Sequence, residues 1–457
     1  MAKPELILHI GTPKTGSTSL QRAFESNIGL LNSEGVYFPV PFSQATYGNI
    51  LPLLVSREFI QIAKHSDNKD IEVCRRDTEN LVSKMIAGFS KSNYKRMLIS
   101  SENLYLNFIF REFFREYSDL MGSKEYTENL LEGFKALGNI SRERINRIRQ
   151  LFKDFDIKIV CYLRRQDLWI ESAYGQMIKQ LMWREFGEIR KHIGLNAHLH
   201  DFPFSLTEKS GFFNDVYILW FKRTQYYSNI RLWSDVFGSE NIIIRPFEKE
   251  QFKRGLVKDF FADILKIEED KLTEIDETRF NDRVSRDLLE YLVKYQPDCS
   301  AYKNAYMDIT RKLNNADRYQ NYFTYEERAQ LINYHEAGNK RIAIEFLGRE
   351  DGILFYEDIK TGQDDYPGLS EEAEELIENE FELASRKNKM KYRLYNGYGS
   401  IYLRKKAFAQ QNFKIKGRHK IVYSIMIYSY AIVSFIAFII KQALRKVKNV
   451  FIHSGNR

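Results

Sequence analysis

Three groups of residues in this 457-residue chain have types and spacing suited to chemistry on an anion. The first is the turn Gly11-Thr12-Pro13-Lys14-Thr15-Gly16-Ser17-Thr18, entered from the apolar run Leu6–Ile10 and left through Ser17–Ser26, which reads as helix. Strand, glycine-bearing turn and helix N-terminus in that order make an anion trap. N–H groups at a helix start lack intrahelical acceptors, the dipole adds about half a positive charge, and glycine admits a ligand close to the backbone. Lys14 adds a full charge. The second group is Arg164 with Ser172 eight residues later: a planar guanidinium fork suited to phosphate, and a neutral hydroxyl donor. The third is Glu102, at the polar end of the run Lys95–Ser101, where a carboxylate could accept a proton.

The spacing Gly11-x4-Gly16 matches a Walker A loop, but Ser17-Thr18 stands where that pattern requires Lys-Ser/Thr. With its lysine two residues before the second glycine, Pro13-Lys14-Thr15-Gly16-Ser17-Thr18 instead resembles the 5′-phosphosulfate loop of sulfotransferases that use 3′-phosphoadenosine 5′-phosphosulfate (PAPS). The pair Arg164 and Ser172 resembles the 3′-phosphate site of the same family. The resemblance to bacterial carbohydrate sulfotransferases continues through Tyr226-Tyr227, Leu232–Gly238, Asn241–Glu248, Phe260-Phe261, Asn339–Ala343 and Gly348–Phe355, and covers roughly residues 5–358. It implies an α/β domain with a central parallel sheet flanked by helices, and sulfuryl transfer to a hydroxyl or amine of a carbohydrate or glycolipid. Lys14, Thr15, Gly16, Ser17, Thr18, Arg164 and Ser172 would bind PAPS, and Lys14 would neutralise charge on the leaving group. Glu102 would serve as the base, as a glutamate does in several carbohydrate sulfotransferases. No metal and no nucleic acid is expected.

These residues need strands and helices to hold them. Strands are expected at Leu6–Ile10, Glu34–Pro39, Lys95–Glu102 and Asp156–Leu163, the resemblance adds one within Asn241–Glu248, and helices are expected at Ser17–Ser26, Arg76–Phe89, Ser141–Asp154 and Ser370–Ser385. Ligands of a parallel sheet gather beyond the strands' carboxyl ends, where Ser100, Ser101 and Glu102 would lie. The stretch at about 104–140 is an aromatic-rich insertion, either a helical pair packing its apolar face or an acceptor platform. His9 reads as a sheet histidine. Arg165 with Asp167 reads as a surface ion pair, the plainer alternative for that cluster. His198 and His200 lack the companions a metal site needs.

Three distant cysteines without CxxC spacing suggest reduced surroundings and no disulfide framework. From Arg386 onward there are 17 Lys and Arg and no Asp or Glu, more than the whole chain's formal charge of +8, so residues 1–385 are net acidic. Within this basic tail, 421–440 is uncharged and long enough, as helix, to reach about 30 Å, one bilayer core. A spanning segment, a surface-lying one and a buried or oligomer helix all fit; basic flanks suit anionic lipid. The expected organisation is a sulfotransferase-like domain at 1–358 and a helical basic extension at 359–457. With no leader read before the first strand, a cytoplasmic enzyme held at the membrane is expected. The alternatives are a kinase or NTPase with a variant loop, and a non-catalytic membrane-surface protein.

Overall fold

The central strands are buried on both faces of the sheet beyond their first residues, which is why they read as apolar runs instead of alternating ones. The computed structural model of the protein describes residues 3–39, 71–105, 142–179, 223–252, 254–272, 284–295, 305–313, 322–359 and 366–386. In chain order, β1 (Glu5–Gly11) leads into α1 (Ser17–Ser26), followed by α2 (Ile28–Ser33) and the short β2 (Val36–Tyr37). Then come α3 (Ile71–Ser90), β3 (Arg96–Ser100), a helix α4 over 142–151 and β4 (Asp156–Leu163). Next are α5 (Gln166–Lys179), α6 (Tyr226–Phe237), β5 (Ile242–Pro246) and α7 (Leu256–Asp259), which runs into a π-helical turn at Phe260–Ile264. Helices α8 (Arg286–Tyr295), α9 (Tyr306–Leu313), α10 (Tyr325–Leu347) and α11 over 371–386 complete the described chain.

The five strands form an all-parallel sheet in the order β2-β3-β1-β4-β5, so the chain has an α/β fold with a central parallel sheet flanked by helices. β1 lies in the middle, with His9 level with Ser100 on one side and Val160 on the other. The chain leaves β1 toward β2 and β3 but leaves β4 toward β5. Connections departing in opposite directions from neighbouring strands open a crevice beyond their carboxyl ends, the switch point where such sheets bind ligands. Both the Gly11–Gly16 loop and Arg164 lie there.

One face of the sheet, carrying Leu6, Leu8, Ile10, Met97 and Ile159, packs under α6 through Ile230 and Trp233. The other, carrying Ile7, Leu98, Val160 and Tyr162, packs on Leu20, Phe24, Phe260 and Phe261. A separate helical core joins the far side of α5 (Trp169, Ile170, Tyr174, Met177) to Leu288, Leu292, Ile309 and Leu331. Helix α10 contributes to both cores, Leu331 to this one and Ile342 to the sheet's, and is started by a Thr324/Glu327 capping box.

The chain divides into two units, Met1–Phe381 and Glu382–Arg457. The first extends past the expected boundary at 358, because Ile377 and Phe381 of α11 are part of the helical core. Most of the insertion at about 104–140, the cap at Ser141, His198, His200 and the segment 421–440 fall outside the described residues. Among the described residues, no helix is long and apolar enough to cross a membrane.

Candidate functional site

The loop after β1 is fixed from beneath by its carbonyls. The Thr12 N–H and hydroxyl both donate to the Tyr162 carbonyl of β4, at 2.8 and 3.0 Å. The Thr12 carbonyl accepts from Thr15 Oγ1 at 2.5 Å and from Ser17 Oγ at 3.5 Å. Pro13 O accepts from the Trp169 indole at 2.7 Å, and Lys14 O from Arg164 Nη1 at 3.2 Å. The backbone is left-handed at Lys14 (φ 70°) and Gly16 (φ 78°). Glycine tolerates this without strain, whereas at Lys14 it costs on the order of 1–2 kcal/mol that the surrounding bonds must offset. The first backbone bond of α1 runs from Leu20 N–H to Gly16 O, so the N–H groups of Ser17, Thr18 and Ser19 at its start have no intrahelical acceptor. The hydroxyls of Thr15 and Ser17 are spent inward; what the loop offers outward is its backbone donors.

Two glycines set the loop's fit. A side chain at Gly11 would place Cβ 3.1 Å from the Glu102 carbonyl and 3.3 Å from its Cα, so Glu102 sits directly against the loop's entry. One at Gly16 would overlap the Leu256 side chain, where α7 meets the start of α1.

The Lys14 ammonium reaches Gln176 Oε1, at 3.1 Å, on α5. Burial lowers its pKa to about 8; the positive charges of Lys179 and Arg164 act in the same direction, and Glu102 opposes them. Lys14, Arg164, Lys179 and Glu102 thus share one electrostatic site. Ser172 lies one helical turn before Gln176, and Ser172, Gln176 and Lys179 at i, i+4 and i+7 share a face of α5. That face is partly exposed while Trp169, Ile170, Ala173, Tyr174, Met177 and Ile178 bury the other. Ser172 makes no hydrogen bond with the described residues. Of the residues expected from sequence, Lys14, Thr15, Gly16, Ser17, Thr18, Arg164 and Glu102 come together around the loop, with Ser172 on the adjoining face of α5. Sequence reasoning missed Gln176, Lys179 and Trp169; the first two were accessible from their helical spacing to Ser172.

Arg165 and Asp167 are an ion pair, but not on the surface as expected. Their side chains are 7 % and 0 % exposed, 2.8 Å apart, and continue to Arg328 of α10, which binds Asp167 and Glu171 at 2.5 Å each. Burial alone would raise the Asp167 pKa, but Arg165 and Arg328 bring it below the ordinary carboxylate value. Arg165 also donates to the carbonyls of Glu357 and Asp358. The network positions the β4–α5 turn that carries Arg164, and Tyr226 adds a hydroxyl bond to the Arg164 carbonyl at 2.6 Å.

His9 is fully buried, its Nδ1 2.8 Å from Ser100 Oγ, and its Nε2 has no hydrogen-bond partner. Burial lowers its pKa to about 4. It lies edge-on to Tyr162 and Phe260 inside the sheet's packing, as a sheet histidine. No group of three His, Cys, Asp or Glu side chains placed to hold a metal ion occurs among the described residues.

Compared with known proteins, the chain is 26% identical over 231 residues to an uncharacterized protein of Archaeoglobus fulgidus. The match covers 49% of this chain and 55% of that protein, so the chain spans about half the length of the relative it matches. No family model and no solved structure matches the chain.

Proposed function

We propose that the chain transfers a sulfuryl group from PAPS to a hydroxyl or amine of an acceptor. The observation that carries this reading is the junction of the two phosphate patterns: the Arg164 guanidinium, from the end of β4, donates to the Lys14 carbonyl in the loop after β1. Residues far apart in sequence thus form one donor surface at the sheet's switch point. The donor set suits a nucleotide phosphorylated at both ends. Backbone N–H groups of the loop and α1 suit the 5′ end, and Arg164 with the uncommitted hydroxyl of Ser172 suits the 3′ end.

Bound there, PAPS supplies an activated sulfuryl group. Little covalent help is available for such a transfer, so positioning and charge stabilisation carry the rate. An O–S bond to an acceptor hydroxyl, or an N–S bond to an amine, forms as the S–O bond to the 5′-phosphate breaks, leaving adenosine 3′,5′-bisphosphate. Glu102 takes the acceptor proton, and the Lys14 ammonium neutralises charge developing on the oxygen that leaves sulfur. A carbohydrate or glycolipid is the acceptor class. The basic tail with its uncharged stretch at 421–440 supports anionic lipid as a partner and a working position at the cytoplasmic face of a membrane.

The test is turnover of PAPS against a panel of glycans by Glu102→Gln and Lys14→Ala. Glu102→Gln retains nucleotide binding and loses turnover; unchanged turnover would remove Glu102 as the base. A magnesium-dependent ATP activity in place of PAPS turnover would favour the kinase reading.

A further inference from the structure

We propose that Trp169 is a positioning residue for the phosphate loop, acting by holding the Pro13 carbonyl inward so that the Lys14 N–H turns out toward the bound anion. The inference rests on the nucleotide reading above. In a trans peptide the carbonyl of one residue and the N–H of the next point in opposite directions. Drawing the Pro13 carbonyl down therefore presents the N–H of Lys14, and drawing the Lys14 carbonyl down presents that of Thr15. The first bond is made by Trp169 Nε1 at 2.7 Å and the second by Arg164 Nη1 at 3.2 Å.

These two bonds bracket Lys14, the loop's one non-glycine residue in the left-handed region. Released from them, its backbone would relax to the right-handed well and withdraw donors from the anion. Arg164 also has a ligand to hold, which leaves the indole as the dedicated clamp. The ring is well anchored for this. Trp169 is fully buried, its own N–H donates to the Arg165 carbonyl at 2.9 Å, and it packs in the helical core with Ile170 and Tyr174. The helical core thereby reaches the backbone of the phosphate loop through the Trp169 indole.

The full chain is titrated by calorimetry with two probes, adenosine 3′,5′-bisphosphate and adenosine 3′-monophosphate, as the unaltered protein and as Trp169→Phe. A second form, in which benzothiophene replaces the Trp169 indole, removes the N–H with minimal change of shape and is read if Trp169→Phe does not fold. Loss of one neutral hydrogen bond in a loop of this kind predicts about tenfold weaker bisphosphate binding. Binding of the 3′-monophosphate, which makes no use of the loop's N–H groups, stays unchanged. Equal weakening of both probes, or of neither, overturns the positioning role while leaving the nucleotide reading intact. Failure of the unaltered protein to bind the bisphosphate overturns that reading, and this inference with it.

Discussion

The buried ammonium of Lys14 should make anion binding at the loop depend on pH. With a pKa near 8 in the free protein, the ammonium is partly deprotonated at pH 8–9. An anion beside it favours the charged form, so ligand binding raises the pKa and takes up a proton. Affinity for adenosine 3′,5′-bisphosphate is therefore expected to fall as pH rises through 8, with proton uptake visible as a dependence of the calorimetric enthalpy on buffer ionisation. Affinity constant from pH 7 to 9 would contradict this. His9 makes an opposite kind of test, because its titration affects folding. Its pKa is about 4 in the folded chain against 6.5 ordinarily, so the unfolded state binds the proton first as pH falls. Its contribution to stability is full above pH 6.5 and is lost as pH falls to 4, on the order of 3 kcal/mol. Urea unfolding at pH 7 and at 4.5 measures the slope, and His9→Asn should flatten it. Lys14, Gly16 and Arg164 were legible as residues because glycine spacing and strand-end arginines carry their chemistry locally. Trp169 was not, since nothing local distinguishes an indole that donates to a distant carbonyl from one that only packs.

Among the elements, the β4–α5 turn depends on contacts that a local pattern does not reveal. The strands were legible because strands buried on both faces are uninterrupted apolar runs, and β1, β3, β4 and β5 fall at or within a residue or two of the expected positions. By contrast Asp167 finds Arg328 161 residues away, on a helix whose own periodicity says nothing about that partner. The expectation of a surface pair failed for this reason: i, i+2 charges at a strand end look solvated until a third charge arrives from α10. Asp167→Ala would leave Arg165 and Arg328 buried without their shared carboxylate and should cost about 3–5 kcal/mol in denaturant unfolding. A loss within 0.5 kcal/mol of zero would mean the network is solvated. Thr324→Ala should cost only about 1 kcal/mol, because it removes the cap at the start of α10, one turn before Arg328, while every charge of the network keeps its partner.

At the scale of the molecule, charge and fold separate. The first unit holds the sheet, the helical core and the described site, while the basic tail from Arg386 onward belongs to the second. The sequence resemblance ends near 358, whereas burial of Ile377 and Phe381 carries the packed unit on to Phe381. A chain ending at Arg386 should bind adenosine 3′,5′-bisphosphate like the full chain and lose sedimentation with vesicles containing anionic lipid. Retained sedimentation would place the lipid contact in the first unit. If the loop after β1 and Arg164 form one nucleotide site, calorimetric titration of the full chain with adenosine 3′,5′-bisphosphate, alongside ATP with magnesium, reads it out. The predicted result is tight binding of the bisphosphate that Arg164→Ala weakens strongly; binding of ATP alone, or of neither nucleotide, would contradict it.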